Sequence, residues 1–565
     1  MDDAAFRSRY LTYDEITRTL KAWAERHPGF VRLSSLATSV EGREVWLLTI
    51  GKDPDRARPA AWIDGNMHAG EFMGSNVALA VAEALVAVHA GGDAPGLPPH
   101  VTAFLRDESL VYVAPRLSPD GAEKVLTTGA YVRSNPRDDR TGRTMPRWRP
   151  ADVDGDGQAR LMRVKDAAGD FVASPKEPNA LLPRRVEDEG PFYSLYPEGF
   201  IDGWDGFTVP SAEDFLSDTS TDLNRNFPYQ WAPEPRQAGA GRFATSEPES
   251  RGVAEFASSH PNLYAWLNLH TFGGCYIRPC GDVSDKKMNQ SDLALFRQIQ
   301  AWSDEHVGYP VVSGFEEFTY EPDKPLAGDL AAYAYAQRGA CAMVCELWDF
   351  WRQVGFDVQR PFVKNYSVRK REDVERIAAW DREHNAGRVV GGFSPFDHPQ
   401  LGPVEIGGYD PRVGVWNPPY ERIAEVCDAQ VRMFLRLTML APRLRLRATS
   451  ERLGAGLARV TAVVENVGYM PTYFLDSARE SPVSDPLRAR LTLGDGVTVL
   501  GDATHEVGHL GGWGGYERPF TPSYARTASS PTRRRVSWLV RGAGPVNVEV
   551  ASARMGVVEA AVEVL

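Results

Sequence analysis

Residues 60–71 read Ala60-Ala61-Trp62-Ile63-Asp64-Gly65-Asn66-Met67-His68-Ala69-Gly70-Glu71: an apolar run of strand length, then small residues, then a histidine and a glutamate three positions apart. Neutral imidazole nitrogens and carboxylate oxygens are the donors that hold a catalytic zinc, which keeps one further position open. His68 and Glu71 can therefore offer two ligands from one turn of chain. A His-x-x-Glu pair also arises by chance at exposed helix starts, so its meaning depends on what joins it downstream.

Outward from this stretch the pattern alternates. Residues 11–25 carry apolar side chains at helical spacing behind a cap at Thr12 or Asp14. Residues 31–36 and 44–51 read as strands, residues 72–90 as an Ala/Val/Leu-rich helix leaving the His68/Glu71 loop, and residues 109–114 as another strand. Strand, helix and strand in succession predict an α/β domain with a mixed, mostly parallel sheet flanked by helices. Ligands of such sheets gather beyond the carboxyl ends of strands. Two later apolar runs fit that rule: residues 263–269 end at His270, and residues 341–345 end at Glu346.

Between 134 and 220 the pattern dissolves into Pro, Gly, Asp and Arg and reads as an irregular insertion. Within it Asp152, Asp154 and Asp156 resemble the start of a calcium loop, although the twelfth position, where an EF-hand wants Glu, is Arg163. Residues 350–418 read mainly as loops, and residues 421–440 as an amphipathic helix. From about 444 the sequence alternates apolar and polar residues between Gly, Pro and Asn, as strands of a sandwich do. The expected organisation is a catalytic domain over residues 1–440 and a small all-β sandwich over 441–565. His505 and His509 lie four apart there without a third partner.

The chain has 565 residues, 43% of them apolar, enough for a large core. Its formal charge of −12 argues against nucleic acid as the main partner. No run approaches the roughly 18 apolar residues of a membrane span. The first residues lack a signal-peptide pattern, so a cytoplasmic location is expected, with export of a longer form left open. The five cysteines form no disulfide framework; Cys341 and Cys345 read as buried thiols, while Cys275 and Cys280 could pair.

His68, Glu71, His270 and Glu346 are joined by Thr221-Asp-Leu-Asn-Arg-Asn-Phe227. In this order the set resembles the zinc carboxypeptidases of the carboxypeptidase A-like family, over roughly residues 8–350; Glu41-Gly-Arg-Glu44 and Ser118-Pro-Asp-Gly121 match as well. The resemblance implies one zinc held by His68, Glu71 and His270, with Asp222 orienting His68 and Glu346 as general base. It implies that Asn224 and Arg225 hold a substrate's terminal carboxylate, a role suited to a planar guanidinium. Arg133, preferred over Arg137, would stabilise the oxyanion. Tyr320, with Tyr335 second, would be the mobile tyrosine, and Ala331 or Asp329 would select the terminal side chain.

The expected function is zinc-dependent hydrolysis of the last peptide bond of peptides with a free carboxyl end. Rival readings are a related amidase, deacylase, or hydrolase of cell-wall or glutamylated peptides, and a non-catalytic binding protein on the same fold whose β domain holds a partner.

Overall fold

The computed structural model describes residues 4–137, 146–210, 221–234, 236–320, 325–367, 369–514 and 531–565. Its centre is an eight-stranded sheet in the spatial order Val31–Thr38, Glu44–Ile50, Val111–Ala114, Ala60–Gly65, Leu263–Thr271, Cys341–Leu347, Cys275–Arg278, Val311–Ser313. The four strands from Val111–Ala114 to Cys341–Leu347 run parallel, and antiparallel pairs flank them. This is the mixed α/β sheet that the alternation predicts.

Every residue of Ala60–Gly65 and Leu263–Thr271 is buried, as expected of central parallel strands covered by helices. Helices Met73–His89 and Ile423–Thr438 pack on each other and on these strands. Trp62 and Trp266 lie side by side in the interior, with ring centroids 4.7 Å apart. Helix Met73–His89 crosses the end of its strand so closely that a Cβ on Gly65 would stand 2.5 Å from the Gly74 carbonyl carbon. Only glycine allows that approach, and it fixes where the intervening loop with His68 and Glu71 must lie. The amino-terminal helix, Tyr13–Arg26, starts in a capping box between Thr12 and Glu15.

The insertion is not the irregular loop that its composition suggests. Strands Val390–His398, Gly402–Tyr409, Leu161–Lys165, Phe192–Pro197, Phe171–Ala173 and Leu181–Pro183 form one antiparallel sheet in that order, and Arg147–Pro150 pairs with Gly199–Asp202. The stretch 350–418, expected as loops, thus supplies two of these strands and the helix Arg371–His384. Trp148, Met162, Ile201, Val404 and Ile406 form their shared core.

From Leu444 onward two four-stranded antiparallel sheets follow, Leu444–Gly454 with Leu457–Asn466, Arg533–Gly542 and Val497–Leu500, and Thr504–Gly508 with Leu487–Leu493, Gly544–Ser552 and Gly556–Val564. Burial alternates along their strands as the sequence predicts. Arg554, fully buried, reaches across to the Arg338 carbonyl (3.0 Å), and the Asp476 amide donates to Asp292 (2.9 Å). All five cysteines are buried free thiols, Cys275 and Cys280 included. Among the described residues no helix is long and apolar enough to cross a membrane.

Candidate metal centre

The loop after Ala60–Gly65 turns at Asn66, which adopts a left-handed φ of 55°, a conformation that Asn tolerates better than most residues. Its side-chain amide donates to the carbonyls of His68 (2.8 Å) and Ala69 (3.2 Å), and the Glu71 amide closes a turn on the His68 carbonyl. A distant residue completes the clamp. The Asn417 side chain donates to the Gly70 carbonyl (2.7 Å) and accepts from the Met73 amide (2.8 Å), while the Trp416 ring fills the space beside Gly70.

His68 Nδ1, His270 Nδ1 and the Glu71 carboxylate converge: His68 Nδ1 lies 2.8 Å from Glu71 Oε1, His270 Nδ1 3.0 Å from Glu71 Oε2, and the two Nδ1 atoms 3.0 Å from each other. The outer ring nitrogens face acceptors, His68 Nε2 at 3.1 Å from Asp222 Oδ1 and His270 Nε2 at 2.6 Å from Asn268 Oδ1. Placing the ring protons on those outer nitrogens leaves a lone pair on each Nδ1, aimed with the carboxylate at one point. Such a donor set calls for a cation, and two imidazoles with a carboxylate suit zinc.

Burial works against charge on Glu71, yet His68 and His270 hold its carboxyl well below the ordinary range. Asp222 is likewise held down, by Arg133 and His68 against the effect of burial. It bridges the two, since its Oδ2 accepts from Arg133 Nε at 3.0 Å. Asn268 is in turn held by Asp64, a buried carboxyl that also accepts from Trp62 (2.6 Å) and Trp266 (2.8 Å), and that burial pushes up to about 6. Neither Asn268 nor Asp64 stands out in a family motif. Their signal is period-two alternation, which places Trp266, Asn268 and His270 on one face of a strand.

A cleft of about 320 Å³ opens over the donor set. Into it face Glu346, Arg133, Asn224, Arg225, Tyr320 and Ala331, while Asp222 stays behind His68 and does not line the cleft. Burial pushes the Glu346 carboxyl up, with His270 opposing the shift. Arg225 donates to the Asn224 carbonyl (2.7 Å), and among the described residues no carboxylate pairs with it. Asn224 Oδ1 accepts from the Leu330 amide (2.9 Å). Tyr320 stands 61% exposed at the rim, whereas Tyr335 points away to Asp292 (2.8 Å). Arg137 is taken up by Glu247, with both contacts at 3.0 Å. Asp329 borders the cleft but caps the helix Leu330–Ala336 through the Ala332 amide.

Asp152, Asp154 and Asp156 do come together, but their carboxylates accept from the amides of their own loop and one pairs with Arg160. Nothing in this arrangement supports calcium. His505 packs on Trp538 and His509 on Tyr473, and among the described residues no third ligand joins them.

The profile of the family described as zinc carboxypeptidase matches residues 16–177 and 205–366, more than half of the chain. The chain belongs to the zinc carboxypeptidase family. Residues 444–563 match a domain family of unknown function. Among curated relatives, carboxypeptidase M of Mus musculus is 29% identical over 138 residues, covering 24% of this chain and 29% of that protein. A zinc carboxypeptidase of Saccharothrix mutabilis subsp. capreolus is 27% identical over 124 residues, 22% of this chain and 27% of that protein. The matches thus span under a third of these relatives' length. Among solved structures, carboxypeptidase A of Helicoverpa armigera aligns with a TM-score of 0.41 at 19% identity, covering 68% of this chain and 75% of that one. Membership in the zinc carboxypeptidase family implies zinc, and His68, Glu71 and His270 form a donor set that fits it.

Proposed function

We propose that this zinc carboxypeptidase relative removes the carboxyl-terminal residue of peptides. The observation that carries the reading is a convergent His/Glu/His donor set in one cleft with a half-buried carboxyl, Glu346, and an arginine, Arg225, without a carboxylate partner among the described residues. Zinc held by His68, Glu71 and His270 supplies Lewis acidity, acidifying water towards a pKa of ~7 and polarising a carbonyl oxygen.

The chain's own groups do the rest. Arg225, with the Asn224 side-chain amide, binds the terminal carboxylate through paired charge-assisted hydrogen bonds and so places the last peptide bond, and no other, at the site. Glu346 accepts a proton from the attacking water on a carboxylate oxygen and returns it to the departing nitrogen. Arg133, anchored at Nε by Asp222 and with Nη1 4.0 Å from Glu71 Oε1, offers its guanidinium to the developing oxyanion. Tyr320 at the rim is placed to close over bound substrate. Ala331, Ile277, Val344 and Phe318 give the cleft an apolar wall, and the Asp329 carboxylate is engaged as a helix cap, which supports a preference for apolar terminal residues.

The test is hydrolysis of blocked dipeptides ending in Phe, Leu, Lys, Arg, Glu or Asp, with metal content measured on the same sample. Cleavage of the Phe and Leu substrates that disappears on chelation and returns with zinc is expected. A zinc-loaded protein that cleaves none of them contradicts the reading.

A further inference from the structure

A second cavity, of about 420 Å³, adjoins the catalytic cleft and shares two residues with it, Tyr131 and Trp416. Their rings contact each other, with centroids 5.4 Å apart. Beyond them Pro150, Leu161, Pro197 and Tyr409 give an apolar wall, bordered by the charged residues Arg160, Glu198, Asp410 and Arg412. Leu161 turns towards this space while its neighbour Met162 turns into the core shared with Trp148 and Ile406. Tyr409 is 43% exposed.

The polar residues of the lining are tied into the fold. Both oxygens of buried Glu198 accept backbone amides, from Val153 (2.6 Å) and Arg160 (2.7 Å). Arg412 donates to the Val125 carbonyl (3.0 Å) and to the Gln158 side chain (2.6 Å). A groove built this way exists before any ligand arrives, so little ordering is needed to fill it.

Its position relative to the chemistry gives it a direction. Tyr131 lies two residues from Arg133, and Trp416 covers Gly70 next to Glu71, so the shared wall stands at the oxyanion end of the cleft. Arg225 belongs to different neighbours, Asn224 and Gly328. A peptide with its terminal carboxylate on Arg225 and its scissile carbonyl at Arg133 therefore continues, towards its amino end, past Tyr131 and Trp416. Tyr131, Pro150 and Leu161 lie within the stretches that match the family profile, whereas Pro197, Tyr409 and Trp416 lie outside them, so this side of the wall is not part of the matched pattern.

We infer that this groove is an extended substrate subsite that takes apolar and aromatic side chains of the peptide residues preceding the terminal dipeptide. Its orientation rests on the carboxypeptidase reading; the groove itself does not. The aromatic and proline lining offers area to apolar side chains, and the charged groups that border it are already engaged, Arg412 with Asp410 and Arg160 with Asp156. The protein thus selects longer peptides by what precedes their last bond.

Two measurements on the whole protein test this. In the first, kcat/KM is compared for blocked peptides that share one terminal dipeptide but carry upstream either Phe-Leu or Gly-Ser. The wild type is expected to favour the apolar extension by roughly tenfold, the effect of burying one apolar side chain. The ratio should fall towards one in Leu161→Glu and in Tyr409→Ser, the latter at an exposed position that the fold tolerates. A wild-type ratio near one, or variants that keep the wild-type ratio, overturns the inference. In the second, fluorescence anisotropy follows a dye-labelled Phe-Leu-Phe carboxamide and a matched Gly-Ser-Gly carboxamide, neither of which offers a carboxylate to Arg225. Tighter binding of the apolar probe that both substitutions abolish is expected, and equal binding of the two probes overturns the inference. Apolar binding without any hydrolysis would sink the carboxypeptidase reading and leave the groove standing.

Discussion

His270 and Glu346 occupy paired positions on two adjacent parallel strands, Leu263–Thr271 and Cys341–Leu347. Backbone register thus sets a metal ligand and the carboxyl proposed as base side by side at the same sheet edge, with no reliance on loop conformation. Replacing the base should leave that register and the donor set intact. Glu346→Gln is expected to lower kcat on a blocked dipeptide by ~10²–10⁴, with zinc content on metal analysis equal to that of the wild type. Loss of zinc in this variant would place Glu346 among the ligands instead.

Asn268 accepts at 2.6 Å from His270 Nε2 and so selects the tautomer that leaves Nδ1 bare. Outer partners of this kind contribute ~10–100-fold to metal affinity. Asn268→Ala should weaken zinc binding by about that factor in a chelator competition. An unchanged affinity would mean that the strand alone orients the ring.

Glu249 is 1% exposed, and among the described residues no other residue donates to either of its oxygens. Burial, helped by Glu247 and Asp120, pushes its carboxyl from 4.5 up to about 7. Between those values the folded protein binds more protons than the unfolded chain, so this contribution to stability is greatest below pH 4.5 and is lost as pH rises towards 7. At 1.36 kcal/mol per unit the change amounts to about 3 kcal/mol. Glu249→Gln should remove it: the variant should gain on the wild type in urea midpoint at pH 8 and lose that advantage at pH 5. Equal midpoints at pH 8 would show that the carboxylate finds a partner.

Gly121 faces the carbonyl of Ser134, the residue after Arg133; a Cβ there would stand 1.6 Å from that oxygen. Gly121→Ala should therefore push the Arg133 segment aside as well as strain the helix Pro119–Thr128. A loss of about 3 kcal/mol, the upper end for overpacking, and a fall in kcat/KM that exceeds any effect on zinc content are expected. Full activity at wild-type stability would count against this packing.

The site was legible in the sequence wherever neighbouring residues carried the chemistry together. His68 and Glu71 share a turn, Asn224 and Arg225 are adjacent to each other, and His270 and Glu346 close apolar runs. What escaped were partners that only the fold brings near. Asn417 clamps the carbonyl of Gly70 from 347 positions away, and Trp416 beside it has no local pattern to announce a role. The insertion misled for a related reason: Arg163 pairs with Glu405, 242 positions later, and short strands such as Arg147–Pro150 bury a single large side chain, Trp148. Too few apolar residues lie in each for period-two alternation to show. Glycine at 65 and 74, by contrast, could be placed only once strand and helix were seen to cross.

The claim that the substrate's free carboxyl end sets the cleavage point is tested most directly at Arg225. The measurement is kcat/KM for one blocked dipeptide as the free acid and as the carboxamide, in wild type and in Arg225→Ala. Removing a charge-assisted pair of hydrogen bonds costs about 3 kcal/mol, so the wild type should prefer the acid by roughly a hundredfold or more, and the variant should lose that preference while keeping its zinc. A wild-type protein that cleaves acid and amide equally, or a variant that keeps the preference, would contradict the account.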